Sequence, residues 1–315
     1  MEKANITGYG NGIFCVDSGY EGGGVAAVYI IRDGQSAAIV DTAHNGALEP
    51  VASAMSELGI PDGMVEHIFL THVHLDHSGG AGRFAGKFPN ARVVVHERGA
   101  RHVADPSKLV AGATEVYGKE AMDRLYGEIL PVSADRIYSP KNGEEIRVGN
   151  RVFVCLDTPG HALHHLAFHD TSSRSVFSGD AYGMSYREPA VPDGRFAIVT
   201  TSPVQFDPAA MSASMRLIDS LEPDCLYPTH FGRMPIGGAL SDSLYRQIDM
   251  SVKIAEEAEG DKDRIKDGLV KLFMEETSRQ GCPAVTSDYG RITGEALEIN
   301  SQGLAVWYKK SRNKG

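Results

Sequence analysis

The sequence predicts an α/β protein made of two similar strand–helix–strand blocks with a helical tail. Two observations lead there. Short apolar runs bounded by Gly, Pro, Asn and Asp recur over residues 13–96 and again over 145–227, with apolar stripes at helical spacing following them. Beyond residue 240 helical periodicity dominates, so the expected division is a first unit over 1–240 and a helical extension over 241–315 packed against it. A chain of 315 residues can bury a substantial core as one large domain or two ordinary ones.

The elements follow in order. Ile13 to Val16, Val25 to Ile31 and Ala37 to Val40 are strands, and Asp33-Gly34 is a hairpin signal between the last two. Residues 46–58 give an amphipathic helix with Leu48, Val51, Met55 and Leu58 on one face. A strand over 65–70 precedes a histidine-rich run, and Ala91 to His96 is another strand after the Pro89-Asn90 turn. Residues 106–130 read as helical. The second block holds strands at 152–156, 165–169, 175–178 and 225–227, with a helix at 208–221 striped by Met211, Met215, Ile218 and Leu221. Helices over 242–258, 261–278 and a short one over 301–309 complete the plan.

Composition narrows the function. Apolar residues at 42% and charged residues at 23% are ordinary for a soluble globular chain. No apolar run approaches the length of a membrane span, and the opening residues Met1 to Thr7 show no secretory pattern, so a cytoplasmic location without membrane partners is expected. The net charge of -10 disfavours a nucleic-acid partner. Cys15, Cys155, Cys225 and Cys282 form no Cys-x-x-Cys pair and read as small hydrophobes.

The densest chemical signal is the run Thr71 to Gly80, where His72, His74, Asp76 and His77 fall within six residues directly after an apolar strand. Imidazole and carboxylate together suit zinc, and also iron or manganese. His161, Asp180 and His230 each follow a later strand, so strand-end loops can bring seven ligands to one sheet edge. Alternate residues of an extended segment face the same way. His72 and His74 can therefore share one ion with His161, while Asp76, His77 and His230 serve a second and Asp180 bridges them. Isolated histidines such as His67, His96 and His102 read as ordinary surface or core residues.

His72-x-His-x-Asp-His77, with the stations Gly-His161, Gly-Asp180 and Thr-His230, resembles the metallo-β-lactamase superfamily over roughly residues 10–235. The resemblance implies an αβ/βα sandwich of that type, here with a C-terminal helical extension, and a dinuclear site at one sheet edge. It implies the same seven ligands. It also implies that Asp41 orients a ligand imidazole and that His165 is structural.

The expected activity is hydrolysis by metal-bound hydroxide, generated at neutral pH because the cation lowers the pKa of its water. The substrate class is an ester, a lactone or a related acyl bond of a small molecule, with two Zn2+ per chain as first choice. Asp76 is a candidate for passing a proton to the leaving group. Tyr182, two residues after Asp180, is a candidate for bonding the substrate carbonyl; similar lactonases carry a tyrosine near this aspartate, but the spacing here is one residue shorter. Segments 106–130 and 183–206, with Met184, Tyr186, Phe196 and Phe206, are expected to wall the pocket. The helical tail is expected to roof the site or to form a homodimer contact. A glyoxalase II-like thioesterase and an iron protein performing oxygen chemistry are the alternatives.

Overall fold

Alternation along the strands decides the architecture. The computed structural model describes residues 5–191, 194–201, 205–279 and 287–313. Its first sheet runs in chain order: β1 (Ile6–Gly8), β2 (Ile13–Asp17), β3 (Ala27–Asp33), β4 (Ser36–Val40), β5 (Val65–Phe69), β6 (Arg92–Val94) and β7 (Ile137–Tyr138). On β3, Ala27, Tyr29 and Ile31 face one buried cluster and Val28 and Ile30 face another. A strand with both faces apolar must be covered on both sides.

The second sheet supplies one cover. It contains β8 (Glu145–Val148), β9 (Arg151–Asp157), β10 (Leu166–Asp170) and β11 (Ser175–Phe177); after a separate hairpin, β12 (Met184–Val191) and β13 (Gly194–Ile198), it is completed by β14 (Cys225–Leu226). Between the sheets lie Phe69, Phe153, Phe168 and Phe177, with Phe69 and Phe168 ring centroids 4.8 Å apart. Such aromatic pairs add about 0.5–1.5 kcal/mol each beyond the area they bury. Cys15 and Cys155 are buried here, Cys225 is partly buried, and Cys282 lies outside the described residues.

Helices supply the outer covers. Around the first sheet are α1 (Leu48–Glu57), α2 (Leu75–Ser78), α3 (Ala81–Lys87), α4 (Glu97–Ala104), α5 (Ser107–Tyr117) and α6 (Lys119–Leu125). The second half carries α7 (Pro208–Ser220), α8 (Gly238–Glu257), α9 (Lys262–Arg279) and α10 (Ser287–Arg312). Leu244, Ile248, Ile265, Leu269, Phe273 and Leu304 of the last three helices join the outer core. The result is an αβ/βα sandwich with C-terminal helices. No helix among the described residues is long and apolar enough to cross a membrane.

Three readings change. The single helix expected over 106–130 breaks at Gly118, whose φ of 80° ends α5 and lets α6 restart. The short helix expected over 301–309 is the end of a 26-residue helix. The β12–β13 hairpin was not anticipated within 183–206.

Strand direction then places the functional loops. β4 is parallel to β5, and the pairings of β9, β10, β11 and β14 make β9, β11 and β14 mutually parallel. The segments leaving β4, β5, β9, β11 and β14 carry Asp41, His72 to His77, His161, Asp180 and His230. All of them emerge from carboxyl ends of strands.

Candidate metal centre

These loops bring the seven side chains together in three overlapping groups: His72, His74 and His161; His72, His77 and Asp180; and Asp76, His77 and His230. In the first, His74 Nδ1 lies 2.7 Å from His72 Nε2 and 3.0 Å from His161 Nε2. In the last, Asp76 Oδ2 lies 3.2 Å from His230 Nε2 and 3.6 Å from His77 Nε2. Asp180 stands between them. Its Oδ2 is 3.5 Å from His161 Nε2, and its Oδ1 is 3.5 Å from His77 Nε2 and 3.9 Å from His230 Nε2. Asp180 thus turns one oxygen toward His161 and the other toward His77 and His230.

Bonds on the far side of each ring aim its Nε2 inward. His77 donates Nδ1–H to Asp41 Oδ2 at 3.1 Å, His230 donates to the Val25 carbonyl at 2.8 Å, and His161 donates to Thr200 Oγ1 at 2.7 Å. His72 Nδ1 faces Thr71 Oγ1 at 3.2 Å, and that hydroxyl donates to Asp41 at 2.8 Å. Nε2 is thereby left as the acceptor atom in His72 and His161, and in His77 and His230 it is the atom that a cation would take once its proton leaves. A bond of this kind fixes the tautomer and orientation of a ligand imidazole. Asp41, fully buried with a φ of 55°, also accepts from the Thr71 amide at 2.8 Å and from Thr229 Oγ1 at 2.5 Å. It pins both loops whose ligands follow a threonine, Thr71-His72 and Thr229-His230.

His165 has a different task. It faces Thr158 Oγ1 at 2.8 Å through Nδ1 and accepts the Asp180 amide at 3.1 Å through Nε2. Both nitrogens are occupied, so it supports the Asp180 backbone rather than joining either group. Gly179, with a φ of 50°, makes that approach feasible, because a Cβ there would stand 2.6 Å from His165 Nε2.

The charges divide the two groups. Burial and neighbouring imidazoles hold His72, His74 and His161 well below the usual histidine range, so they are neutral at pH 7. His77 behaves oppositely: burial disfavours its cation, but Asp180, Asp76 and Asp41 outweigh burial and raise it to about 10. His230 is raised against burial by Asp180 and Asp76. Burial alone would push Asp76 up, yet His77 and His230 hold it well below the carboxylate range. Burial raises Asp180.

The residues fit a metal. His77 Nε2 and Asp180 Oδ1 are buried without a hydrogen-bond partner among the described residues. Buried polar atoms rarely go unsatisfied, and a cation between these two would satisfy both. Two ligands about 2.0–2.1 Å from one tetrahedral zinc stand about 3.3 Å apart, close to their 3.5 Å separation. Asp76 is the most open member of its group with His77 and His230, with its side chain 27% exposed. Its charge reaches Tyr117 and Tyr126 of the segment 106–130; burial pushes Tyr117 up to about 12, with Asp76 adding to the effect.

Tyr182 requires correction. Its ring is fully buried and its hydroxyl donates to Asp219 and sits 2.6 Å from Ser241 Oγ, below α7 and α8. It meets none of the seven ligands, so it is not placed to bond a substrate carbonyl. Of the expected wall residues, Phe196 and Phe206 are buried in the outer core, Met184 packs against it, and the Tyr186 side chain lies outside the described residues. Thr200 and Thr229 escaped the sequence reading. Thr229 carried a usable signal, since Thr-His recurs at 71–72 and 229–230; Thr200 carried none.

A family profile described as the metallo-beta-lactamase superfamily matches residues 22–230. The chain belongs to the metallo-beta-lactamase superfamily. Its members bind divalent metal, and those with characterised relatives here are mainly hydrolases. Among curated relatives, acyl-coenzyme A thioesterase MBLAC2 of Gallus gallus is 28% identical over 188 residues, covering 54% of this chain and 63% of that one. Hydroxyacylglutathione hydrolase of Stenotrophomonas maltophilia is 30% identical over 152 residues, covering 48% of this chain and 44% of that one. The chain thus spans about half the length of these relatives. The crystal structure of the superfamily protein ST1585 from Sulfolobus tokodaii superposes with a TM-score of 0.68 at 21% identity, covering 93% of this chain and 98% of that one. That likeness establishes the fold.

Proposed function

We propose that this metallo-hydrolase cleaves an acyl bond of a small molecule, using two divalent cations held by the seven residues above. The observation that carries the reading is Asp180, whose two oxygens face separate ligand groups. His72, His74 and His161 would hold one cation and Asp76, His77 and His230 the other. When bound, such a pair supplies Lewis acidity and a water acidic enough to attack at neutral pH. Zinc is the first choice for the donor set, and iron or manganese suit the same atoms.

The protein's own part is positioning and proton handling. Asp41, Thr200 and the Val25 carbonyl orient the imidazoles, and His165 holds Asp180. Asp76 is ionised at neutral pH and open on one side. Its partly open carboxylate supports a part in passing a proton to the departing thiolate or alkoxide. Among acyl bonds a thioester is favoured over the lactone expected from sequence. Relatives named as acyl-coenzyme A and hydroxyacylglutathione hydrolases support it, and the displaced Tyr182 removes one reason for the lactone.

The test is a panel of acyl thioesters, aryl esters, lactones and β-lactams offered to protein whose metal content has been measured. Turnover is expected to be highest with thioesters and to fall to background in His72→Ala/His74→Ala. A silent panel at two cations per chain would overturn hydrolysis of an acyl bond.

A further inference from the structure

Thr200 Oγ1 joins two of the seven ligand residues. It accepts His161 Nδ1–H at 2.7 Å and donates toward the Asp180 carbonyl at 3.4 Å. The hydroxyl is fully buried, and His161 has no comparable tie to Asp41, which serves the other loops. Thr200 is thus the group that selects the tautomer of the third histidine.

What holds Thr200 is the C-terminal region. The stretch following β13 leaves the sheet, and its backbone polar groups find partners on two helices. Gln247 of α8 accepts the Val199 amide at 3.0 Å through Oε1 and donates to the Ala197 carbonyl at 3.1 Å through Nε2. Asn300 of α10 accepts the Thr201 amide at 3.0 Å through Oδ1 and donates to the Val199 carbonyl at 3.1 Å. Its own backbone carbonyl takes the Thr201 hydroxyl at 3.0 Å. Gln247 and Asn300 are buried. Each amide side chain reads one N–H and one C=O of the same short segment, as a neighbouring strand would, and so fixes residues 197–201 on both sides of Thr200. Buried amides with both ends satisfied specify one geometry rather than a range.

We propose that Thr200 is a positioning residue for His161, and that the C-terminal helices, through Gln247 and Asn300, set the cation affinity of the three-histidine group. The proposal rests on the two-cation reading above. It gives the extension beyond residue 240 a defined task at the site, although none of the seven ligands comes from it.

The experiment measures metal affinity, not turnover alone. Full-length wild type, Thr200→Val, Thr200→Ser and Asn300→Ala are stripped, checked for native circular dichroism, and titrated with Zn2+ against a chromophoric chelator. Co2+ spectra report the ligand field in parallel. Loss of a hydrogen-bonded support for a metal ligand typically weakens binding about 10–100-fold. That loss is expected for the three-histidine site in Thr200→Val, with a shifted Co2+ band, and recovery in Thr200→Ser. Asn300→Ala should move both readouts the same way; if it does not fold, Gln247→Met tests the other clamp. Affinity and Co2+ spectrum unchanged in Thr200→Val would overturn the role of Thr200, and unchanged values in the helix variants would overturn that of the helices. Wild type that binds no cation would instead sink the two-cation reading itself.

Discussion

At the level of single residues, the two groups of ligands differ in what a cation must displace. His72, His74 and His161 are already neutral at pH 7, whereas His77 keeps its proton up to about 10 in the metal-free protein and His230 is raised as well. A raised histidine binds its proton more tightly, so the proton competes more strongly as pH falls. Occupancy of the Asp76–His77–His230 group should therefore decline first as pH falls below about 10, and filling it at neutral pH should release at least the His77 proton. Calorimetry in two buffers of different protonation enthalpy counts the protons released; zero release would contradict the charge assignment. Tyr182 makes the opposite kind of prediction. Tyr182→Phe should leave turnover within about twofold while costing about 1–2 kcal/mol of stability, because Asp219 loses one of its buried donors. A large drop in turnover with normal stability would return Tyr182 to the site. Its sequence distance from Asp180 suggested proximity, but the chain turns through Ala181 to Gly183, the latter at a φ of 79°, and the ring is carried beneath α7 and α8.

Among elements, what could be read from sequence was whatever announces itself locally. That the seven candidate side chains could meet was legible because they follow apolar strand signals, and a strand end is a fixed place in an α/β sheet. The supports were legible only in part. Asp41 follows β4 and fits the family pattern, but Thr200 acts through a single hydroxyl on a segment held by Gln247 and Asn300, far along the chain. The β12–β13 hairpin was missed for a related reason: its alternation is broken by a register shift between Ser185 and Ala190. The break at Gly118 was visible as a glycine in a weakly periodic stretch, yet glycine is tolerated within helices often enough that only its positive φ decides. Gly179 is the place where one loop's conformation is most exposed to test. Alanine there must adopt a φ near 50° with its Cβ 2.6 Å from His165 Nε2 and 2.7 Å from Thr71 Cβ. Gly179→Ala should destabilise the protein by at least about 2 kcal/mol. Urea unfolding measures it, and a variant as stable as wild type would show that the His165–Asp180 approach is not tight.

For the whole molecule, the helices beyond residue 240 share one core with the elements before them. Leu244, Ile248 and Leu304 lie in the same outer core as Met211 and Ile218 of α7, and Phe273 stacks edge-on against Phe196 at 5.4 Å. The reach of those helices could not be inferred from their own periodicity, which reports one apolar stripe but not the partner it covers. The sharing of Asp180 between donors from both sheets has a mechanical corollary. His72 through His77 belong to the first sheet and His161, Asp180 and His230 to the second, so an ion seated among them is a rivet through both layers. Anything that binds the native form alone stabilises it by mass action, and here that gain falls on the seam. Chelation should therefore loosen the two layers against each other before it unravels either one.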